Sequence, residues 1–168
     1  MNFVVREATR LDAEGIARVH VASIRTVGAK FYSQEIVEIW SAPRDGSRYM
    51  DAMLRGEVFF VACVSGLEIE NQIVGFSSHR VENEKHRIAV YVDGTAIRHG
   101  VGKALFSAAE AIAWQRDASE IHVTASLAAV DFYKSLGFAE IAVGEHTMGN
   151  LKMACVFMKK DLSVIRRF

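Results

Sequence analysis

Apolar positions recur along the chain with two different periods, and the period changes mark its elements. Phe3–Glu7 alternates like a short strand. After it, Asp12 is a candidate N-cap, and Ile16, Val19, His20, Ser23 and Val27 follow at helical spacing. Ser33 caps a second predicted helix with Ile36, Ile39 and Trp40 on one face, and Pro43 helps to end it. A third, over Ser47–Arg55, carries Met50, Met53 and Leu54, with Gly56 as its stop. The pattern then turns to dense Val, Ile and Phe. Val58–Val64, Ile73–Val81 and His86–Val92 read as a three-stranded meander, with turns at Glu68–Gln72 and Glu82–Lys85. A long helix over Gly100–Arg116 shows Val101, Leu105, Ala108 and Ile112 on one side. Glu120–Ala125 is a strand, and Leu127–Leu136 a helix capped by Ser126 and stopped by Gly137. Phe138–Val143 and Lys152–Lys159 close the chain as strands. This order implies a mixed α/β arrangement around one sheet.

The length of 168 residues fits a single domain, and no repeat, linker or low-complexity segment divides it. Lys plus Arg equals Asp plus Glu, 20 against 20, so a general nucleic-acid binder, which needs a basic excess, is not expected. Cys63 and Cys155 lie in apolar strands without a CxxC partner and read as buried free thiols. The first ten residues lack the apolar core of a signal peptide. No apolar run approaches the roughly 20 residues of a membrane span. A cytoplasmic protein follows by default. The six histidines show no metal-ligand spacing, so no metal is expected.

The most informative stretch runs from Val90, Tyr91 and Val92 through Arg98, His99, Gly100, Val101, Gly102 and Lys103. A strand ends, a loop turns, and two glycines open a helix. The first amides of a helix have no internal partner and, with the helix dipole, form an anion site. Arg98 and Lys103 add positive charge there, and His99 a donor. The third glycine of a dinucleotide fingerprint is replaced by Leu105, and the P-loop pattern is absent, which counts against a nucleotide-binding domain. Taken alone, the two glycines serve equally well as a helix entry that holds nothing. Likewise Ala129, Phe132, Tyr133 and Leu136, taken alone, describe an amphipathic core helix.

Together the two stretches resemble the GNAT superfamily of N-acetyltransferases. That family carries Q/R-x-x-G-x-G/A at a strand-to-helix passage and, further on, F-Y-x-x-L-G-F. Here these are Ile97-Arg98-His99-Gly100-Val101-Gly102 and Phe132-Tyr133-Lys134-Ser135-Leu136-Gly137-Phe138. The chain departs from the pattern at Ile97, where the family has Gln or Arg, and at Ala128, where many members have Asn. The resemblance implies a central, mostly antiparallel, splayed sheet flanked by helices, and transfer of an acetyl group from acetyl-CoA to an amine. It implies that backbone groups of Val90, Tyr91 and Val92 hold the pantetheine arm and that the amides of Arg98, His99, Gly100, Val101, Gly102 and Lys103 hold the pyrophosphate. An amide near Val92 would stabilise the oxyanion, and Tyr133 would face the thioester sulfur as hydrogen-bond donor. His79, Glu82, Glu84, His86 and His122 are the candidate bases, alongside deprotonation through water; His79 and His122 stand out because they interrupt apolar strands. The aromatics Phe31, Tyr32, Trp40 and Tyr49 are candidates for the acceptor wall and equally for packing against the sheet. A non-catalytic acyl-CoA-binding or sensing domain on the same fold is the alternative. The sequence allows a homodimer.

Overall fold

The computed structural model describes residues 1–64 and 72–163. Seven strands form one sheet in the order β1-β2-β3-β4-β5-β7-β6: β1 (Phe3–Glu7), β2 (Val58–Val64), β3 (Gln72–Glu82), β4 (Lys85–Val92), β5 (Glu120–Ser126), β6 (Ala139–Met148) and β7 (Leu151–Asp161). All neighbours are antiparallel except β4 and β5, which run parallel across the connection through a helix. The β3–β4 hairpin closes on Asn83 and Glu84, both at positive φ, as a tight turn between twisted strands requires. The expected turn at Glu68–Gln72 lies outside the described residues, apart from Gln72, which opens β3.

Among the described residues, five α-helices cover the sheet: α1 (Ala13–Thr26), α2 (Gln34–Trp40), α3 (Ser47–Leu54), α4 (Val101–Gln115) and α5 (Val130–Ser135). None of the described helices is long and apolar enough to cross a membrane. On one face, Ile16, Val19 and Tyr49 of α1 and α3 pack on Phe59, Val61 and Phe76. On the other, Val101 and Leu105 of α4 pack on Ala62 and Val74. Further along α4, Phe106 and Ala113 join Ile121, Tyr133, Phe138 and Met158. Cys63 and Cys155 are buried free thiols, as their apolar surroundings predict.

Several details differ from the sequence reading. Asp12 does not cap α1 with its side chain. Its carboxylate takes the Thr9 amide at 2.8 Å and pairs with Arg6 at 2.7 Å, closing a 3-10 turn over Arg10–Asp12. The buried side of α2 is Val37, while Ile39 faces solvent, although Ser33 does cap it by accepting from Ile36 N–H. In α3 the buried residues are Tyr49 and Ala52, and Leu54 is exposed. In α4 they are Val101, Leu105, Phe106, Ala109 and Ala113 rather than Ala108 and Ile112. Ser126 makes no side-chain cap, and α5 is preceded by a 3-10 turn at Leu127–Ala129.

Candidate active site

The parallel seam between β4 and β5 is short. Only His86 with Ile121 and Arg87 with His122 pair across it, and beyond them the strands part. A strand's backbone groups alternate sides residue by residue. Asp93 donates to the Val74 carbonyl at 2.8 Å, so Asp93 and Tyr91 face β3. Val90 and Val92 therefore turn their amides and carbonyls into the gap, where β5 no longer satisfies them.

Tyr133 fills part of that gap from α5. Its ring is buried against Phe132 and Phe138, and its hydroxyl meets the backbone of Val90. Burial is the main cause that pushes the phenol well above its ordinary value; Tyr91 adds to it and the Val90 backbone opposes it. The group is a protonated O–H at any working pH.

At the open end of the gap, Asp93 Oδ1 accepts from both the amide and the hydroxyl of Thr95, which sets the loop leading to α4. Arg98 and Gly100 both adopt positive φ, 63° and 82°. The ladder of α4 starts with Ala104 N–H to Gly100 O at 3.0 Å, so the amides of Val101, Gly102 and Lys103 precede it. Arg98, His99 and Lys103 are exposed beside them. A Cβ on Gly100 would meet nothing within 4 Å, whereas one on Gly102 would lie 3.2 Å from the Phe132 ring. Gly102 thus lets the two motifs touch: Phe132 packs where a side chain on α4 would otherwise stand.

On the α1 side of the sheet, the gap opens into a cavity of about 800 Å³, with Tyr133 on its wall. Trp40 and Tyr49 line it, as do His122, Thr124 and Ser126 of β5. Phe31 is half-exposed and does not line it. Tyr32 acts as a clasp at the edge: its hydroxyl accepts from Leu127 N–H at 2.7 Å and donates to the Ala154 carbonyl at 2.8 Å.

The candidate bases separate onto two faces. Ser77 Oγ bonds Leu105 O, so odd positions of β3 beyond its bulge, from Gly75 on, face α4. His79 lies there, fully buried, 3.0 Å from His86 and away from the cavity. Glu82 lines the cavity but is paired with Arg87 at 2.8 Å, and Glu84 sits in the hairpin turn. His122 lines the cavity, and its Nε2 lies 2.6 Å from Glu120 Oε1, which leaves Nδ1 as the acceptor on a neutral ring. His20 falls at helical spacing with Ile16 and Val19 along α1. It is a polar cavity residue, bonded to Tyr49 Oη at 2.7 Å and packed on the Tyr91 ring at 4.0 Å. Burial first, then Arg44 and Arg48, hold its pKa down to about 3.

Residues 29–162 match the model of the acetyltransferase (GNAT) domain. No curated protein sequence matches the chain. Among solved structures, a GCN5-related N-acetyltransferase (aminotransferase, class-II) from Rhodopseudomonas palustris is 28% identical, with 96% of this chain and 97% of that one covered and a TM-score of 0.82. The PaiA N-acetyltransferase from Thermoplasma acidophilum, solved in complex with coenzyme A, is 20% identical, with 96% and 99% covered and a TM-score of 0.76. A phosphinothricin acetyltransferase from Sinorhizobium meliloti, solved with acetyl-CoA, is 16% identical, with 96% and 89% covered and a TM-score of 0.73. The last two share the fold.

Proposed function

Since the chain belongs to the acetyltransferase (GNAT) family and is an N-acetyltransferase, we propose that, as a single domain over residues 1–168, it moves the acetyl group of acetyl-CoA to a primary amine of a small molecule or protein by direct attack of the amine on the thioester. The observation that carries this reading is the gap itself. Val90 and the Tyr133 hydroxyl meet in it, on the wall of a large cavity, and its other end leads to the amides that open α4.

The residues present fit acetyl-CoA. The amides from Arg98 to Lys103 would hold the pyrophosphate, with unobstructed access over Gly100. Backbone groups of Val90 and Val92 would hold the pantetheine arm, while Tyr91 contributes its ring to the cavity. Bound acetyl-CoA supplies the activated acetyl thioester. Tyr133, kept protonated by burial, donates a hydrogen bond toward the departing sulfur. A thiol has a lower ordinary pKa than a phenol, roughly 8.5 against roughly 10, so hydrogen bonding is favoured over full proton transfer. The amide near Val92 on the splayed strand stabilises developing negative charge on the acyl oxygen. His122, oriented by Glu120, is the base that receives the amine proton at Nδ1.

Calorimetric titration with acetyl-CoA, with NAD and ATP as controls, tests the cofactor claim. Saturable heat with acetyl-CoA alone, followed by thiol release in the presence of amines, is the expected result. A folded sample that takes up no acetyl-CoA at millimolar concentration would remove it.

A further inference from the structure

The charges around the cavity are unevenly matched. Five arginines line it, against two glutamates. Both glutamates are committed: Glu82 pairs with Arg87 at 2.8 Å and lies 3.8 Å from Arg80, and Glu57 lies 3.8 Å from Arg80. Among the described residues, Arg44, Arg48 and Arg55 form no ion pair. Arg48 and Arg55 are exposed and can be solvated. Arg44 is half-buried, and water serves it less well.

The surroundings of Arg44 hold its guanidinium in place without neutralising it. One nitrogen lies 3.0 and 3.1 Å from the two ring nitrogens of His20, and another donates to the Trp40 carbonyl. His20 is in turn bonded to Tyr49 and packed on Tyr91. Tyr133, Tyr91 and His20 thus line the same cavity as a fixed, uncompensated cation. A guanidinium held in this way suits a planar oxyanion, which it can grip with two parallel N–H donors. A polyamine or a lysine-rich segment would meet like charge here.

We propose that the acceptor is a small primary amine carrying a carboxylate, of the amino-acid class, whose carboxylate is gripped by Arg44 with support from Arg48 while its amine faces Tyr133. This rests on the transferase reading above.

The test compares each of L-methionine, L-phenylalanine and L-glutamate with its α-carboxamide, and includes spermidine, as acceptors with acetyl-CoA. The wild type should prefer the acid over the amide by tenfold or more in kcat/KM. In Arg44→Gln that preference should fall toward unity, a loss of roughly tenfold to a hundredfold for the acid. Arg44→Lys should restore part of it, since it keeps the charge and loses the fork. Acetyl-CoA affinity should be the same in all three. A second readout needs no turnover: in a Trp114→Phe background, quenching of Trp40 emission by N-acetyl-amino acids should saturate, and their amides should be weaker. Equal response to acids and amides, better turnover of spermidine, or a preference that survives Arg44→Gln overturns the proposal. Saturable quenching by the acids from a protein that binds no acetyl-CoA leaves the carboxylate site standing and removes the transferase reading instead.

Discussion

Acidification puts a number on the placement of His79. The ring is fully buried on the α4 side of β3, with Nε2 3.0 Å from His86 Nδ1 and no partner for its own Nδ1 among the described residues. Burial chiefly, with His86 and Arg116 adding repulsion, lowers its pKa from 6.5 to about 4. The unfolded chain therefore binds this proton more readily than the native one, and stability rises with pH between those two values. The contribution is complete above about pH 6.5 and is lost as pH falls through about 4. The full shift corresponds to roughly 3 kcal/mol, and linkage assigns about 2 kcal/mol of it to the interval from about pH 7.5 to about pH 5. For a domain of this length that is a fall in Tm of roughly 4–8 °C. His79→Gln removes the titrating ring. Thermal unfolding followed by circular dichroism across the interval should show wild type and variant converging by that amount as pH falls. His79→Gln/His86→Gln extends the test to the second ring, whose pKa burial and Arg116 also lower. Parallel Tm-against-pH curves for wild type and variant would refute the reasoning, because a solvated ring is the condition under which His79 contributes nothing.

Other outcomes follow from the geometry around the gap. Tyr133→Phe should slow turnover by up to roughly a hundredfold while calorimetric affinity for acetyl-CoA stays the same; wild-type turnover with chemistry rate-limiting removes the hydroxyl from the reaction. Gly102→Val should push Phe132 away from the first turn of α4, since the first added carbon alone comes within 3.2 Å of its ring. A stability loss of roughly 1–3 kcal/mol in chemical denaturation, with weaker acetyl-CoA binding, is expected. Tyr32→Phe leaves the Leu127 amide and the Ala154 carbonyl without their shared partner, and should cost roughly 1–3 kcal/mol by the same assay. His122→Gln should lower kcat without changing acetyl-CoA affinity, and unchanged kcat would assign deprotonation to water.

The strands were the most legible part of the sequence. Phe3–Glu7 and Val58–Val64 were read to the residue, because β-branched and aromatic positions bounded by turns leave little else to form. Helices were found, but their buried sides were less certain. In α4 the choice between Ala108 and Ala109 cannot be read from alanine, which suits a core and a surface alike. Ser126 makes no side-chain cap, and the Leu127 amide beside it is taken by Tyr32, 95 residues away in sequence, a meeting no local pattern carries. The two motifs were visible as motifs, and their contact through Gly102 and Phe132 explains their pairing. For His20, helical spacing marks a position as inward-facing without saying what it faces. Only the fold brings Arg44 and Tyr49 to it, and no spacing along the chain encodes that meeting.

The two-rung seam between β4 and β5 also gives the molecule a mechanical character. Four strands lie on one side of it and three on the other, and backbone bonding joins them only at the His86–Arg87 end. The sheet is a book bound at one corner. An extended, amide-bearing molecule laid between its open pages would add rungs that the polypeptide lacks, so that its own length becomes part of the binding. Resistance to heat would then climb with its concentration, by about 1.4 kcal/mol for each tenfold excess over Kd, and melting temperature becomes a gauge of which molecules fit between the pages.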